Sequence, residues 1–239
     1  MKKTISPLFS FFIFAILFTL VAVSFLFFFS KLSDPSVATT FSHPQLTVVI
    51  DPGHGGEDGG AIGVNGCLEK DLNLSIAKKL SCVLSGLGIK NVLTRSSDTL
   101  LYDKNSDYEG QKKHLDMQKR LEITSSYPNV IFVSIHQNSF PEEKYSGFQA
   151  YYSPNSPLSQ ELALNIERYV KQFAQSQNNR KAKSSAGSIY LLDELDCPAV
   201  LLECGFLSNG SESELLCSED YQNKLCRIIG ASIESFINS

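Results

Sequence analysis

From residue 46 to the C-terminus, short apolar runs alternate with segments whose apolar residues recur at helical spacing, and no other feature of the chain restricts its fold as much. Strands are expected at Leu46–Ile50, Ile89–Arg95, Val130–Ile135, Phe148–Tyr152, Ser188–Leu192 and Ala199–Glu203. Between them, Glu69–Gly86 reads as a helix with Leu72, Ile76, Leu80, Val83 and Leu87 on one face. Gln111–Ser125 reads as a second, with Leu115 and Leu121 inward. Ser156-Pro157 opens a third, carrying Leu162, Ile166, Val170 and Phe173, because proline at the first helical position costs no hydrogen bond. Gln175–Gly187 reads as a polar, Lys/Arg-dotted loop, Ser211-x-x-Glu214 has a capping-box pattern, and a last helix runs from about Glu219 to Phe236. This order predicts an α/β fold: a mostly parallel central sheet covered by helices on both faces, as a single domain. In such sheets the chemistry gathers at the carboxyl ends of the strands.

The amino end sets the compartment. Leu8–Phe29 is an uncharged run interrupted only by Ser10, Thr19 and Ser24. As a helix it would span roughly 33 Å, about the thickness of a bilayer's hydrocarbon core. Lys2 and Lys3 precede it, which keeps that end cytoplasmic. The run ends in Phe27-Phe28-Phe29, a poor cleavage site, so residues 1–31 are expected to be a signal-anchor in preference to a cleaved signal peptide. Residues 32–45 read as a tether, and 46–239 as the exported domain, at the outer face of the cytoplasmic membrane or in the cell wall. The chain has a net charge of −4 and no block of Lys or Arg, which argues against nucleic acid as a partner.

Three strand ends carry polar groups that an apolar run has no packing reason to carry. The first ends in Asp51-Pro52-Gly53-His54-Gly55-Gly56, the third in His136-Gln137-Asn138, and the last in Glu203-Cys204-Gly205. Glu69 opens the first helix. Two histidines and a carboxylate at one sheet edge suit a catalytic zinc site, which uses three protein ligands and keeps a fourth position open. A further carboxylate off the metal would carry protons. Glu203, placed after Ala-Val-Leu-Leu, is expensive to bury unless it is paired or used. Glu69 also has an ordinary reading as an acid favoured by the helix dipole. Asn138 reads equally as a substrate-orienting group or a turn residue, while His43 and His114 read as solvated surface groups.

These residues resemble the zinc-dependent N-acetylmuramoyl-L-alanine amidases of the Amidase_3 type. Val49-Ile50-Asp51-Pro52-Gly53-His54-Gly55-Gly56 is similar to their opening motif, and Glu69-Lys70-Asp71-Leu72-Asn73-Leu74 to the second block. Thr94-Arg95-Ser96-Ser97-Asp98, Arg120, Val133–Asn138 and Glu203–Asn209 match later blocks in order. The resemblance implies Zn(2+) held by His54, Glu69 and His136, with Glu203 as catalytic acid/base. It implies hydrolysis of the amide joining the lactyl group of N-acetylmuramic acid to L-alanine of the peptidoglycan stem peptide. Gln137 departs from the pattern, where alanine is usual, and so does Cys204, where a small or apolar residue is common. A lone catalytic domain behind an anchor is similar to the sporulation-specific spore-cortex amidases of the CwlD type. That implies a role in muramic-δ-lactam formation, a location in the forespore intermembrane space, and placement by the membrane segment or by a positioning or activating partner protein.

Three other functions fit parts of the sequence. A cysteine peptidase of stem peptides would use Cys204 as nucleophile and His136 as base, but would leave His54 and Glu69 without roles. A zinc carboxypeptidase would share the metal set and need an arginine for the terminal carboxylate, for which Arg95, Arg120 and Arg180 are available. A non-catalytic peptidoglycan-binding protein would need none of these positions. The six cysteines form an even set, which permits disulfides in an exported chain.

Overall fold

The computed structural model describes residues 46–102 and 110–239, and Thr19. Apart from Thr19, the expected signal-anchor and the tether lie outside the described residues, as does 103–109 of the loop after the second strand. Among the described residues no helix is long and apolar enough to cross a membrane.

One six-stranded sheet organises the domain, in the order β2-β1-β3-β6-β4-β5. Its strands are β1 (Thr47–Pro52), β2 (Asn91–Leu93), β3 (Val130–Asn138), β4 (Gln149–Tyr152), β5 (Lys183–Ser184) and β6 (Ala199–Phe206). The strands β2, β1, β3 and β6 run parallel, as the alternation requires. β4 pairs antiparallel with β6, and β5 follows β4 in parallel, so the sheet reverses beyond β6. That reversal places the start of β4 at the same edge as the ends of β1, β3 and β6, with Gln149 opposite Glu203.

The helices are α1 (Glu69–Gly86), α2 (Lys112–Ser125), α3 (Pro157–Phe173), α4 (Tyr190–Glu194), α5 (Gly210–Cys217) and α6 (Glu219–Ile237). α1, α3 and α6 cover one face, where Val48, Ile50, Val133, Ile135, Val200 and Leu202 meet Ile76, Leu80, Leu162, Ile166 and Ile229. Each such fully buried side chain stabilises the fold by about 1.5–3 kcal/mol relative to exposure. On α1 the buried stripe is Leu72, Ile76, Leu80 and Leu84, and Leu87 is left 39% exposed at the helix end. The opposite face is smaller: Val49, Phe132, Ala199 and Leu201 pack with Leu191, Leu192 and Leu195.

Four local expectations are corrected. Ser188–Leu192 is not a strand; Tyr190–Glu194 forms the short α4, which buries Leu191 and Leu192 together. The polar stretch 175–187 contains β5. The cap of α5 is Asn209, whose side chain accepts the Glu212 N–H at 3.1 Å, so the capping pattern lies two residues before Ser211. On α2 the fully buried residues are Asp116, Arg120 and Thr124, with Leu115 and Leu121 only partly covered. The reason lies in β1. Val49 faces the smaller core, so Asp51, two residues on, points the same way and meets α2 with a charge.

Candidate active site

Asp51 is fully buried at the end of β1 and is satisfied from three sides. Thr94 Oγ1 donates to Oδ1 at 2.6 Å, Arg120 Nη1 to Oδ1 at 2.6 Å, and Ser134 Oγ to Oδ2 at 2.8 Å. Burial alone would raise its pKa; the Arg120 charge and these hydrogen bonds more than offset that and hold it below the usual carboxylate range. Arg120 also donates from Nε to Asp116 Oδ2 at 2.8 Å, from Nη1 to the Pro52 carbonyl at 2.8 Å and from Nη2 to the His54 carbonyl at 2.9 Å. Arg95 donates to the carbonyls of Pro52 (3.0 Å), Gly53 (2.9 Å) and Lys70 (2.9 Å). Two buried guanidinium groups therefore fix the backbone of the loop that carries His54. They hold His54 at φ 62°, a left-handed conformation that a side chain adopts only under constraint.

The loop brings His54 against Glu69 and His136. His54 Nε2 is 3.2 Å and His136 Nδ1 3.0 Å from Glu69 Oε1, and one donor atom from each residue lies within 4.8 Å of the others. The His136 ring occupies the space above Gly53, where an added Cβ would fall 2.1 Å from its Nε2. Gly60 leaves similar room for Glu69, 2.5 Å from its Oε2. On the far side of His54, the buried Nδ1 is 3.0 Å from Asp58 Oδ2, an ion-pair distance without hydrogen-bond alignment, so the acid acts on the ring through its charge. Glu69 is buried and held by its own set: the Ala61 N–H reaches Oε2 at 2.8 Å, and the Gln137 N–H reaches Oε1 at 3.1 Å. Asn73 Nδ2 is 3.4 Å from the same Oε1, and Gln137 Nε2 donates to Asn73 Oδ1 at 3.1 Å. Gln137, the departure at this block, is thus built into the support of Glu69.

The electrostatics match a cation-binding cluster. Burial would raise the Glu69 pKa, but hydrogen bonds and charge from His136 and His54 carry it far below the usual carboxylate range. Burial likewise works against a charged His54, and Glu69 and Asp58 more than reverse that. Two imidazoles and an ionised carboxylate converging on one point are the donor types of a zinc centre with an open position, and they fit that ion.

Glu203 stands beside this cluster, opposite His136 in the β3–β6 register. Its Oε2 is buried and has no hydrogen-bond partner among the described residues. Desolvation pushes its pKa up to about 7, with His136 opposing and Glu69 adding to the rise. An unpaired carboxyl group poised near neutrality can both accept and return a proton. Asn138 lies past a bulge at the end of β3, where its carbonyl accepts the Leu207 N–H at 2.8 Å. His114 is exposed, as expected, and its ring lies 5.9 Å from that of Tyr190.

The structure therefore brings together His54, Glu69, His136 and Glu203. It adds Asp51, Asp58, Asn73, Asp116 and Arg120, whose supporting roles were not read from sequence; Asp51, Asn73 and Arg120 stood within the blocks that carry the family resemblance, and nothing local pointed to Asp116. Cys204 is fully buried, its thiol pKa raised well above the ordinary value by burial, and it contacts the Leu202 carbonyl at 3.7 Å. Such a thiol is poorly suited to nucleophilic attack. All six cysteines are free thiols.

Comparison with known proteins agrees with this geometry. Residues 48–235 match the family model of Amidase_3, N-acetylmuramoyl-L-alanine amidase. The chain is 35% identical over 182 residues to the germination-specific N-acetylmuramoyl-L-alanine amidase of Bacillus subtilis, covering 76% of each protein. It is similar to the solved CwlD amidase of Clostridioides difficile, determined in complex with the GerS lipoprotein. The TM-score there is 0.76 at 38% identity, covering 80% of this chain and 98% of that one. The amidase AmiC2 of Nostoc punctiforme gives a TM-score of 0.70 at 31% identity, covering 82% and 98%. The chain belongs to the Amidase_3 family and is an N-acetylmuramoyl-L-alanine amidase.

Proposed function

We propose that this enzyme is a zinc amidase that cuts between the lactyl group of N-acetylmuramic acid and L-alanine, with His54, Glu69 and His136 as metal ligands. The observation that carries this reading is the convergence of those three donors beside the unpaired Oε2 of Glu203. A zinc ion bound there supplies a Lewis acid that polarises the scissile carbonyl and acidifies water. Glu203 takes the proton of the attacking water and hands it to the departing L-alanine nitrogen. Asp58 places a negative charge beside the His54 ring, while Gln137 and Asn73 hold Glu69, so the donors are set before substrate arrives. Asn138, at the rim of the same strand, orients substrate.

The likeness to a germination-specific amidase and to CwlD supports work on spore-cortex peptidoglycan, in muramic-δ-lactam formation. The same likeness supports a lipoprotein-type partner that positions or activates the enzyme, since CwlD was solved with GerS. The uncharged run at 8–29 supports membrane anchoring and action outside the cytoplasmic membrane, in the forespore intermembrane space during sporulation. In the carboxypeptidase alternative, Arg95 and Arg120 are both occupied by carbonyl and carboxylate partners within the fold, which leaves Arg180 as the arginine for a terminal carboxylate; the two readings then differ in product, a free N-terminal L-alanine against a shortened peptide. The reading is tested by metal titration of Glu203→Gln and His54→Ala. Glu203→Gln is expected to bind zinc normally without hydrolysing substrate, and His54→Ala to lose both; hydrolysis at a near-normal rate by Glu203→Gln would overturn the assignment.

A further inference from the structure

The substrate of this reaction has one neutral and one anionic half. While the lactyl carboxyl is tied up in the amide, the glycan carries no charge, whereas a stem peptide carries free carboxylates. Two cavities open at the carboxyl edge of the sheet. One, about 280 Å³, includes His54, His136, Lys113 and Tyr190 in its lining. The other, about 640 Å³, is lined in part by Lys144, Tyr145, Gln175, Asn178, Arg180 and Glu212.

The fold puts this second cleft at the same sheet edge as Glu203. Residues 144–147 lead into β4 and residues 174–180 lead towards β5, both at the edge where Gln149 pairs with Glu203. Arg180 Nη1 donates to Gln149 Oε1 at 3.3 Å, its Nε donates to the Ser146 carbonyl at 2.7 Å, and its guanidinium stacks 4.3 Å from the centre of the Phe206 ring. Tyr151 lies within electrostatic reach of both Glu203 and Arg180.

The lining carries two cations, Lys144 and Arg180, and one carboxylate, Glu212, on which the Arg180 charge already acts. Among the described residues neither Arg180 nor Lys144 has a carboxylate within 4.0 Å, although the chain is acidic overall at −4. Nη2 of Arg180 takes no partner among the described residues. Glu212, the carboxylate of the cleft, accepts the Gly147 N–H at 2.9 Å and the Phe206 N–H at 2.8 Å, one with each oxygen. A guanidinium centred over an aromatic ring with one nitrogen open is arranged for carboxylate recognition.

We propose that this cleft is the subsite for the carboxylate-bearing stem peptide, with Arg180 binding a peptide carboxylate and Lys144 reinforcing it at the rim. The proposal rests on the amidase reading of the neighbouring site. Adjacent strands are about 4.8 Å apart, and two extended residues span about 7 Å, so a peptide running from the reacting amide across β6 to β4 reaches the cleft within its first few residues.

The test uses two synthetic muramoyl peptides, identical except that the peptide carboxylates are free in one and amidated in the other. The full chain, zinc-loaded, is expected to favour the free acid by at least about tenfold in kcat/KM. Arg180→Gln is expected to lose that preference through KM. Lys144→Gln, a surface change, is expected to weaken the preference by about threefold and more at low salt. Calorimetric titration of the released free-acid peptide into Glu203→Gln and into Arg180→Gln supplies a readout independent of turnover, with binding retained in the first and lost in the second. Equal rates on both substrates in the parent enzyme, or an undiminished preference in Arg180→Gln, would overturn the subsite. Arg180-dependent peptide binding without cleavage of either substrate would uphold the subsite and overturn the amidase reading beneath it.

Discussion

Replacing Arg120 by Met tests whether the loop carrying His54 is held by buried charge. Arg120 is 2% exposed, and its side chain meets Asp51 at 2.6 Å and Asp116 at 2.8 Å, besides two backbone carbonyls. Met fills most of the volume but supplies no donor. Asp51 would keep only Thr94 and Ser134, and Asp116 only the Leu101 N–H. Removing one partner of a buried pair costs about 3–5 kcal/mol, because the other charge stays buried without compensation. That is a large part of the roughly 5–15 kcal/mol that holds a domain together. With a urea slope of about 2 kcal/mol per molar, the midpoint falls by about 2 M. Urea melts belong in chelator, so that metal binding does not contribute to apparent stability. The effect also carries a pH signature. In the parent protein the Asp51 pKa lies below its unfolded value, so its stabilisation is present above about pH 4 and fades as pH falls through the folded value. Without Arg120, burial raises the Asp51 pKa instead, and protonation relieves the variant. The gap between the two proteins should therefore narrow from pH 7 towards pH 4. Arg120→Lys, which restores a charge without the planar fork, should fall between them. A loss below about 1 kcal/mol for Arg120→Met, or a gap that widens on acidification, would refute the reasoning.

Other consequences follow from the same geometry. Asp58→Asn removes the charge beside His54 Nδ1 and should lower zinc affinity by about 10–100-fold in a competition titration, with little change in fold by circular dichroism. Gly53→Ala places a Cβ 2.1 Å from His136 Nε2, so the ring must move; zinc affinity should fall at least tenfold, while an alanine at the open position Gly59 should change it little. Glu203 must be ionised to accept a proton, so kcat/KM should rise with pH to a plateau, with the acidic limb below the metal-free value of about 7 because bound zinc lowers a nearby carboxyl pKa. A rate that falls across that range would remove Glu203 from the role of base.

The sheet, and the three strand ends that carry chemistry, were legible because a polar residue after an apolar run has no packing reason to be there. His54, His136 and Glu203 each stand out in that way, and Glu69 begins α1 as expected. What lay beyond reach was the support. Asp116, Arg120 and Thr124 look like the wet side of an amphipathic helix, and become a buried face only because Asp51 points at them across the smaller core. Periodicity gives no warning when a buried stripe is polar. Tyr190–Glu194 failed for another reason: two adjacent leucines in a five-residue element carry no period that separates strand from helix. The role of Gln137 depends on α1 lying beside the end of β3, a contact between residues 64 positions apart that no local pattern encodes.

Everything proposed for this site depends on metal-dependent cleavage at the lactyl–alanine bond with Glu203 as acid/base. Mass spectrometry of spore-cortex peptidoglycan digested by the enzyme with zinc, with chelator, with a thiol blocker and as Glu203→Gln tests it directly. Intact stem peptides with a free N-terminal L-alanine are expected, released only with zinc and with Glu203 present, and unaffected by the thiol blocker. Shortened peptides, or release that persists under chelation and stops with the blocker, would contradict it.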